Sequence, residues 1–274
     1  VNEGAEWNKD IATGLYEEIA NQINVSFPPY METVHNVPRD KGEIIKCGRE
    51  VTGLSGLFIK KKRYAIMVYD NEGTRYDTDD KPGKIKAMGL DLKRSDTPAV
   101  VQEFLKDILD DLLTNKDKDY IIDHIIEFKK EFTNKHSWEK GTPKRVNNLT
   151  KYSAIHKKEK TQKINVTIPG HVRAAINWNQ LRRMNNDNYS MEISDGMKTI
   201  VCKLKHNVFG FTSVGIPTDE NNIPDWFKEL PFDDALMETT VIDNKVENLL
   251  GVLKWDLLNR TDISNTFQQL FDFE

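Results

Sequence analysis

Tyr76-Asp77-Thr78-Asp79-Asp80 carries the residue types for metal-assisted phosphoryl transfer, since two carboxylates one residue apart in a tight turn can hold divalent ions. Lys81-Pro82-Gly83 follows at once and reads as a surface loop, which weighs against a metal site there. Adjacent carboxylates on a helix point apart, so Asp110-Asp111 and Asp233-Asp234 read as solvated faces or helix starts. Gly53-Leu54-Ser55-Gly56 is one residue short of a nucleophile elbow. The six histidines lack paired ligand spacing, and Cys47 and Cys202 lie far apart, which suits reduced thiols in a cytosolic protein. The chain has no Gly-x-x-x-x-Gly-Lys-Ser/Thr loop, no Gly-x-Gly-x-x-Gly and no His-Glu-x-x-His. These residues nominate no catalytic side chain, no metal ligand and no cofactor bound by the chain itself.

A second kind of chemistry is better supported. Lys60, Lys61, Lys62 and Arg63 stand consecutively between Leu57-Phe58-Ile59 and the apolar run Tyr64 to Tyr69. A solvated charge run normally lies in a polar loop. Here burial of both flanks would hold the cations in place, facing a fixed row of anions such as a nucleic-acid backbone. The net charge of −4 conceals a matching asymmetry. Lys135 to Lys163 holds nine Lys/Arg against two Glu, or +7, and Asp219 to Glu274 holds thirteen Asp/Glu against four Lys/Arg, or −9. Such separation suggests a basic surface for a polyanion and an acidic region facing elsewhere.

At 274 residues, 38% hydrophobic and 30% charged, the chain has room for one or two domains with large polar surfaces. It has no apolar run near the roughly 20 residues a membrane helix needs, and no secretory pattern at Val1-Asn2-Glu3.

The elements that must position the cations follow from periodicity. Trp7, Ile11, Leu15, Ile19 and Ile23 form one apolar stripe on a helix of about 18 residues, which Phe27-Pro28-Pro29-Tyr30 is expected to stop. Glu43 to Cys47 reads as a short strand. Tyr64 to Tyr69 reads as an inner strand, Asp70-Asn71-Glu72-Gly73 as a hairpin turn with positive φ at Gly73, and Lys84 to Met88 as a strand ended by Gly89. Thr97 caps and Pro98 starts a helix burying Val101, Leu105, Ile108, Leu109, Leu112 and Leu113. A second helix spans Tyr120 to Phe132, and a third His171 to Met184. Ile164 to Ile168 and Thr199 to Leu204 read as extended, Asn207 to Pro217 as Gly-rich, and amphipathic pieces surround Leu236 and Val246 to Trp255. The basic segment, with Trp138, Tyr152, His136 and His156 interleaved, reads as a polyanion surface or as a mobile loop.

Lys61-Lys62-Arg63-Tyr64 matches the Lys-Lys-Arg-Tyr motif of family B DNA polymerases. The run through Tyr69-Asp70-Asn71-Glu72-Gly73-Thr74-Arg75-Tyr76 resembles the replicative polymerases of T-even-type bacteriophages. In the same order, Lys86-Ala87-Met88-Gly89-Leu90-Asp91 with Ser95-Asp96-Thr97-Pro98 resembles the segment from palm to thumb, and Ile168-Pro169-Gly170-His171-Val172-Arg173 a thumb segment. The terminal Phe267-Gln268-Gln269-Leu270-Phe271-Asp272-Phe273 is similar to the tail by which such polymerases bind a sliding clamp.

The resemblance implies an α+β fold: a partial palm of antiparallel strands with a packing helix, then a mainly helical thumb. The expected domains are residues 1–95 (palm), 96–260 (thumb) and 261–274 (clamp-binding tail). It implies DNA contacts from Lys60, Lys61, Lys62, Arg63, Tyr64, Lys93, Arg94, His171 and Arg173, and clamp contacts from Phe267, Leu270, Phe271 and Phe273. The family's Asp-x-x-Ser-Leu-Tyr-Pro-Ser and Tyr-Gly-Asp-Thr-Asp-Ser segments lie upstream of Lys-Lys-Arg-Tyr and are missing here. Catalytic carboxylates, with their Mg2+, are therefore expected from an amino-terminal polymerase fragment carrying exonuclease, fingers and the rest of the palm. That fits one chain of a split polymerase, inactive alone, gripping primer–template DNA in the cytoplasm of an infected bacterium. The alternative is a stand-alone DNA-binding or clamp-tethering accessory protein.

Overall fold

The computed structural model describes residues 7–159 and 166–255. The chain divides into two compact units, Val1–Met88 and Gly89–Glu274. The division falls seven residues before the boundary expected at 95/96.

The first unit opens with α1, Lys9–His35, capped by Asn8, whose side chain accepts from the Asp10 and Ile11 amides. Pro28 and Pro29 lie inside α1 and do not end it, contrary to expectation. Helix α2, Arg39–Gly42, packs there, and a Cβ on Gly42 would approach Pro28 Cα to 2.7 Å. This close contact lets the chain carry prolines that would break an isolated helix. The end comes at Asn36, in the left-handed region at φ 53° with its N–H on Met31 O. No strand forms at Glu43 to Cys47, because the Asn24 side chain takes both Cys47 backbone groups, at 2.6 and 2.9 Å.

Strands β1 (Val51–Lys60), β2 (Arg63–Asn71), β3 (Thr74–Arg75) and β4 (Lys84–Met88) form one antiparallel sheet. β2 is the inner strand, paired with β1 on one side and with β3 and β4 on the other. Ala65, Met67, Val68 and Tyr69 are buried along it, whereas Tyr64 and Ile66 are half-buried. The buried Asp70 carboxylate is held by Arg49 and by the Gly73 amide. Glu72 and Gly73 both have positive φ, the backbone a two-residue hairpin turn favours.

The second unit is mainly helical and also encloses a three-stranded antiparallel sheet. Helices α3 (Ala99–Leu113) and α4 (Lys118–Thr133) pack through Phe104 and Phe128, stacked at 3.8 Å. Pro98, not Thr97, is the capping residue of α3, and no side chain caps it. The basic segment is built rather than a bare loop: β5 (Thr142–Arg145) and α5 (Leu149–Glu159) arise from it. Strand β6 (Lys198–Lys203) pairs with β5 and with β7 (Ser213–Pro217), an all-buried strand inside the Gly-rich stretch.

Against this sheet lies α6, Gly170–Met184. Trp178 is fully buried between Trp226 and Phe227, its indole N–H donating to Met191 O at 2.9 Å. Short helices α7 (Asp225–Lys228), α8 (Asp234–Glu238) and α9 (Asn244–Leu250) close the unit, with Asp233 capping α8. The acidic region does not simply face elsewhere. Lys140, 2% exposed, sets its ammonium on Glu238 at 3.0 Å, Asp234 at 3.3 Å and the Thr133 carbonyl at 2.9 Å. A buried cation needs such partners, which explains why these carboxylates turn inward.

Candidate nucleic-acid interface

In the first unit the cationic run forms a tight turn: β1 ends at Lys60, Lys61-Lys62 turn, and β2 starts at Arg63. A bulge precedes the turn, and Lys62 takes φ 63°, uncommon for a lysine. Lys60, Lys61 and Lys62 are exposed and form no ion pair among the described residues. Arg63 is half-buried, and Tyr64 pairs across the strands with Phe58, their rings stacked at 6.0 Å. Burial of both flanks was expected to hold these cations, but Phe58 beside them is 67% exposed and Tyr64 half-buried, so the hairpin turn fixes them at a strand end.

The second unit carries a basic groove of about 700 Å³. Lys93 and Arg94 come from the turn before α3, Lys144 and Arg145 from β5, Lys198 from β6, and His171 from the first turn of α6. Three features set this geometry. Asp91 anchors the turn through Lys245 at 2.9 Å and Asn248 at 3.0 Å. Register places Arg145 opposite Lys198. Pro169 caps α6 and so sets His171, half-buried, in its first turn.

One carboxylate sits among these cations. Asp96 takes a two-pronged contact from Arg94, at 2.9 and 3.0 Å, and the Lys144 ammonium at 2.7 Å. The Arg94 hydrogen bonds, then Lys144, hold the Asp96 carboxyl well below the usual carboxylate range against the opposing effect of burial. Burial, aided by Lys144, pushes the His171 imidazole down from its ordinary value. Lys93, Arg145 and Lys198 form no ion pair among the described residues.

Of the residues nominated from sequence, the structure gathers Lys93, Arg94 and His171 in this groove, and Lys60 to Tyr64 in the hairpin. Arg173 is in neither: its guanidinium contacts Glu159 at 3.2 and 3.3 Å and His156 at 3.4 Å. Lys144 and Arg145 were covered only by the charge of the basic segment, and Lys198 was missed. Its signal is the strand pairing, which a single lysine before Thr199 does not announce. Phe267, Leu270, Phe271 and Phe273 lie outside the described residues.

The Asp77 carboxylate is also committed. Arg75, at 2.8 and 2.9 Å, and then Lys9, at 2.7 Å, hold it below the usual range. Asp79 and Asp80 are exposed.

The DNA polymerase family B model matches residues 45–218, a span containing both the hairpin and the groove. The chain belongs to DNA polymerase family B. It is 29% identical over 223 residues to the DNA-directed DNA polymerase of Escherichia phage RB69, covering 78% of this chain and 23% of that protein. It is 27% identical over 167 residues to the DNA-directed DNA polymerase of Enterobacteria phage T4, covering 61% of this chain and 17% of that protein. The chain thus spans less than a quarter of the length of these relatives. Among the described residues no helix is long and apolar enough to cross a membrane.

Proposed function

We propose that the chain is the DNA-gripping palm and thumb portion of a phage-type family B DNA polymerase, holding primer–template duplex while another polypeptide supplies the catalytic carboxylates and their Mg2+. The observation that carries this reading is the family match over residues 45–218, which includes two separate sets of exposed cations. Lysines and arginines on a hairpin turn and in a groove neutralise phosphates without reading sequence, the grip a template-directed enzyme needs.

The partner reading has its own support. No residue of α1 is buried, and its apolar stripe stays open, with Ile11 46% and Ile19 44% exposed. A groove of about 520 Å³ between α1 and the sheet is lined by Tyr16, Ile19, Ile23, Phe58, Tyr64 and Ile66. An amphipathic helix normally buries such a stripe, so a polypeptide completing the palm would find its apolar seat here. The 267–273 segment is proposed to reach a sliding clamp, and the infected bacterial cytoplasm is the proposed setting.

The test is reconstitution. The chain, mixed with an amino-terminal family B polymerase fragment, should copurify and restore Mg2+-dependent primer extension that neither piece shows alone. Copurification failure with intact duplex binding would instead favour an accessory DNA-binding protein. Removing residues 267–274 should spare unassisted extension and abolish stimulation by the clamp.

A further inference from the structure

We propose that Asp96 is a built-in stand-in for a DNA phosphate, occupying the seat between Arg94 and Lys144 that a backbone phosphate takes when duplex enters the groove. The inference rests on the proposed grip on duplex and goes further by assigning one side chain the task of limiting it.

The chemistry is that of two anions competing for one seat. A carboxylate that receives two N–H groups of one guanidinium and an ammonium within 3.0 Å has the contacts a phosphate would make there. Among the described residues it is the one carboxylate lining a groove with five Lys/Arg and His171. A purely structural acid would be expected beneath the cations, as Asp91 is beneath this turn, with its side chain 10% exposed. Asp96 retains 22% exposure of its side chain and lines the groove itself. Incoming phosphate must therefore displace it, or share Arg94 and Lys144 with it, and either weakens the net gain on binding. For an enzyme that must release and re-grip its product at each step, such weakening keeps the duplex free to slide.

The cations fall into two classes on this reading. Arg94 and Lys144 are already partly neutralised before DNA arrives, whereas Lys93, Arg145 and Lys198 have no ion pair among the described residues. Only the second class should contribute a full charge to counterion release.

The experiment measures binding of a fluorescent primer–template duplex to the full chain across a salt series, with dissociation rates and thermal melts. Asp96→Asn should bind about fivefold tighter, dissociate more slowly, and show a log K against log salt slope steeper by up to about 1. Lys198→Gln should bind more weakly and lose about 0.9 of slope, while Lys144→Gln loses clearly less. Equal or weaker binding by a folded Asp96→Asn, alongside a weakened Lys198→Gln, would show Asp96 organising the cations and overturn the inference. If Asp96→Asn does not fold, the two lysine variants decide it, since equal slope losses at Lys144 and Lys198 would also overturn it. Unchanged binding in all three variants would sink the groove reading itself, a different failure.

Discussion

Helices α1 and α6 show two ways of using an amphipathic pattern. The 27 residues of α1 bury no side chain, whereas the 15 of α6 bury eight, including Trp178 and the amides Asn177 and Asn179. Asn177 donates to Ser213 O and Asn179 to Ile193 O, both at 2.8 Å, so even the polar positions of α6 are used within its own unit. The second unit closes its own core around α6. The first leaves its most regular apolar stripe without one. The cations follow the same contrast: Lys60 to Lys62 form no ion pair among the described residues, while the groove of the second unit holds a carboxylate among its lysines and arginines.

The sharpest way to break this contrast is Trp178→Ala. It should destabilise the second unit by about 3–5 kcal/mol, read from denaturant unfolding, because a fully buried indole has no way to relax its cavity. A loss below about 1 kcal/mol would mean the unit is not built around α6. Next in size is the double change Lys61→Ala with Lys62→Ala. It should weaken duplex binding about tenfold, similarly for all sequences, and flatten the salt slope by about 2. Loss confined to particular sequences would contradict a phosphate-directed role.

A pH series sharpens the comparison from the side of the groove. His171 is pushed below its ordinary 6.5 in the folded chain, so the unfolded chain takes up the proton first. Its contribution to stability is complete above about pH 6.5 and declines as pH falls toward the lowered folded value. Duplex affinity should move the other way over that interval, since a nearby phosphate favours the imidazolium. His171→Asn should remove both trends; persistence of both would assign them to other groups. The smallest effect belongs to Leu15→Ser on α1, expected to change the stability of the isolated chain by under about 0.5 kcal/mol. The same change should weaken association with the polymerase fragment, and a large loss of intrinsic stability would show that the stripe already has a core.

Local patterns were legible where one signal was enough. The φ of Gly73, the inner strand Tyr64 to Tyr69, the strand ending at Gly89 and the helix after Thr97-Pro98 all follow from nearby residues. The prolines of α1 misled because the contact from Gly42 that accommodates Pro28 is made by another helix. The strand expected at Cys47 failed because a side chain 23 residues earlier took its backbone groups. The motif residues Lys60 to Tyr64, Lys93, Arg94 and His171 could be named from the chain alone, but the groove could not. It depends on pairing between β5 and β6, which brings Arg145 opposite Lys198 across more than fifty residues. Arg173 could be named in the same way, but its engagement by Glu159, fourteen residues earlier, could not.

The anchoring of Asp91 has a consequence in time. Its partners Lys245 and Asn248 follow it by 154 and 157 residues, so a ribosome adding about 5–20 residues per second makes them roughly 8 to 30 seconds later. Until then the turn that carries Lys93 and Arg94 lacks these two contacts, and the fully braced groove is a late product of its unit's synthesis.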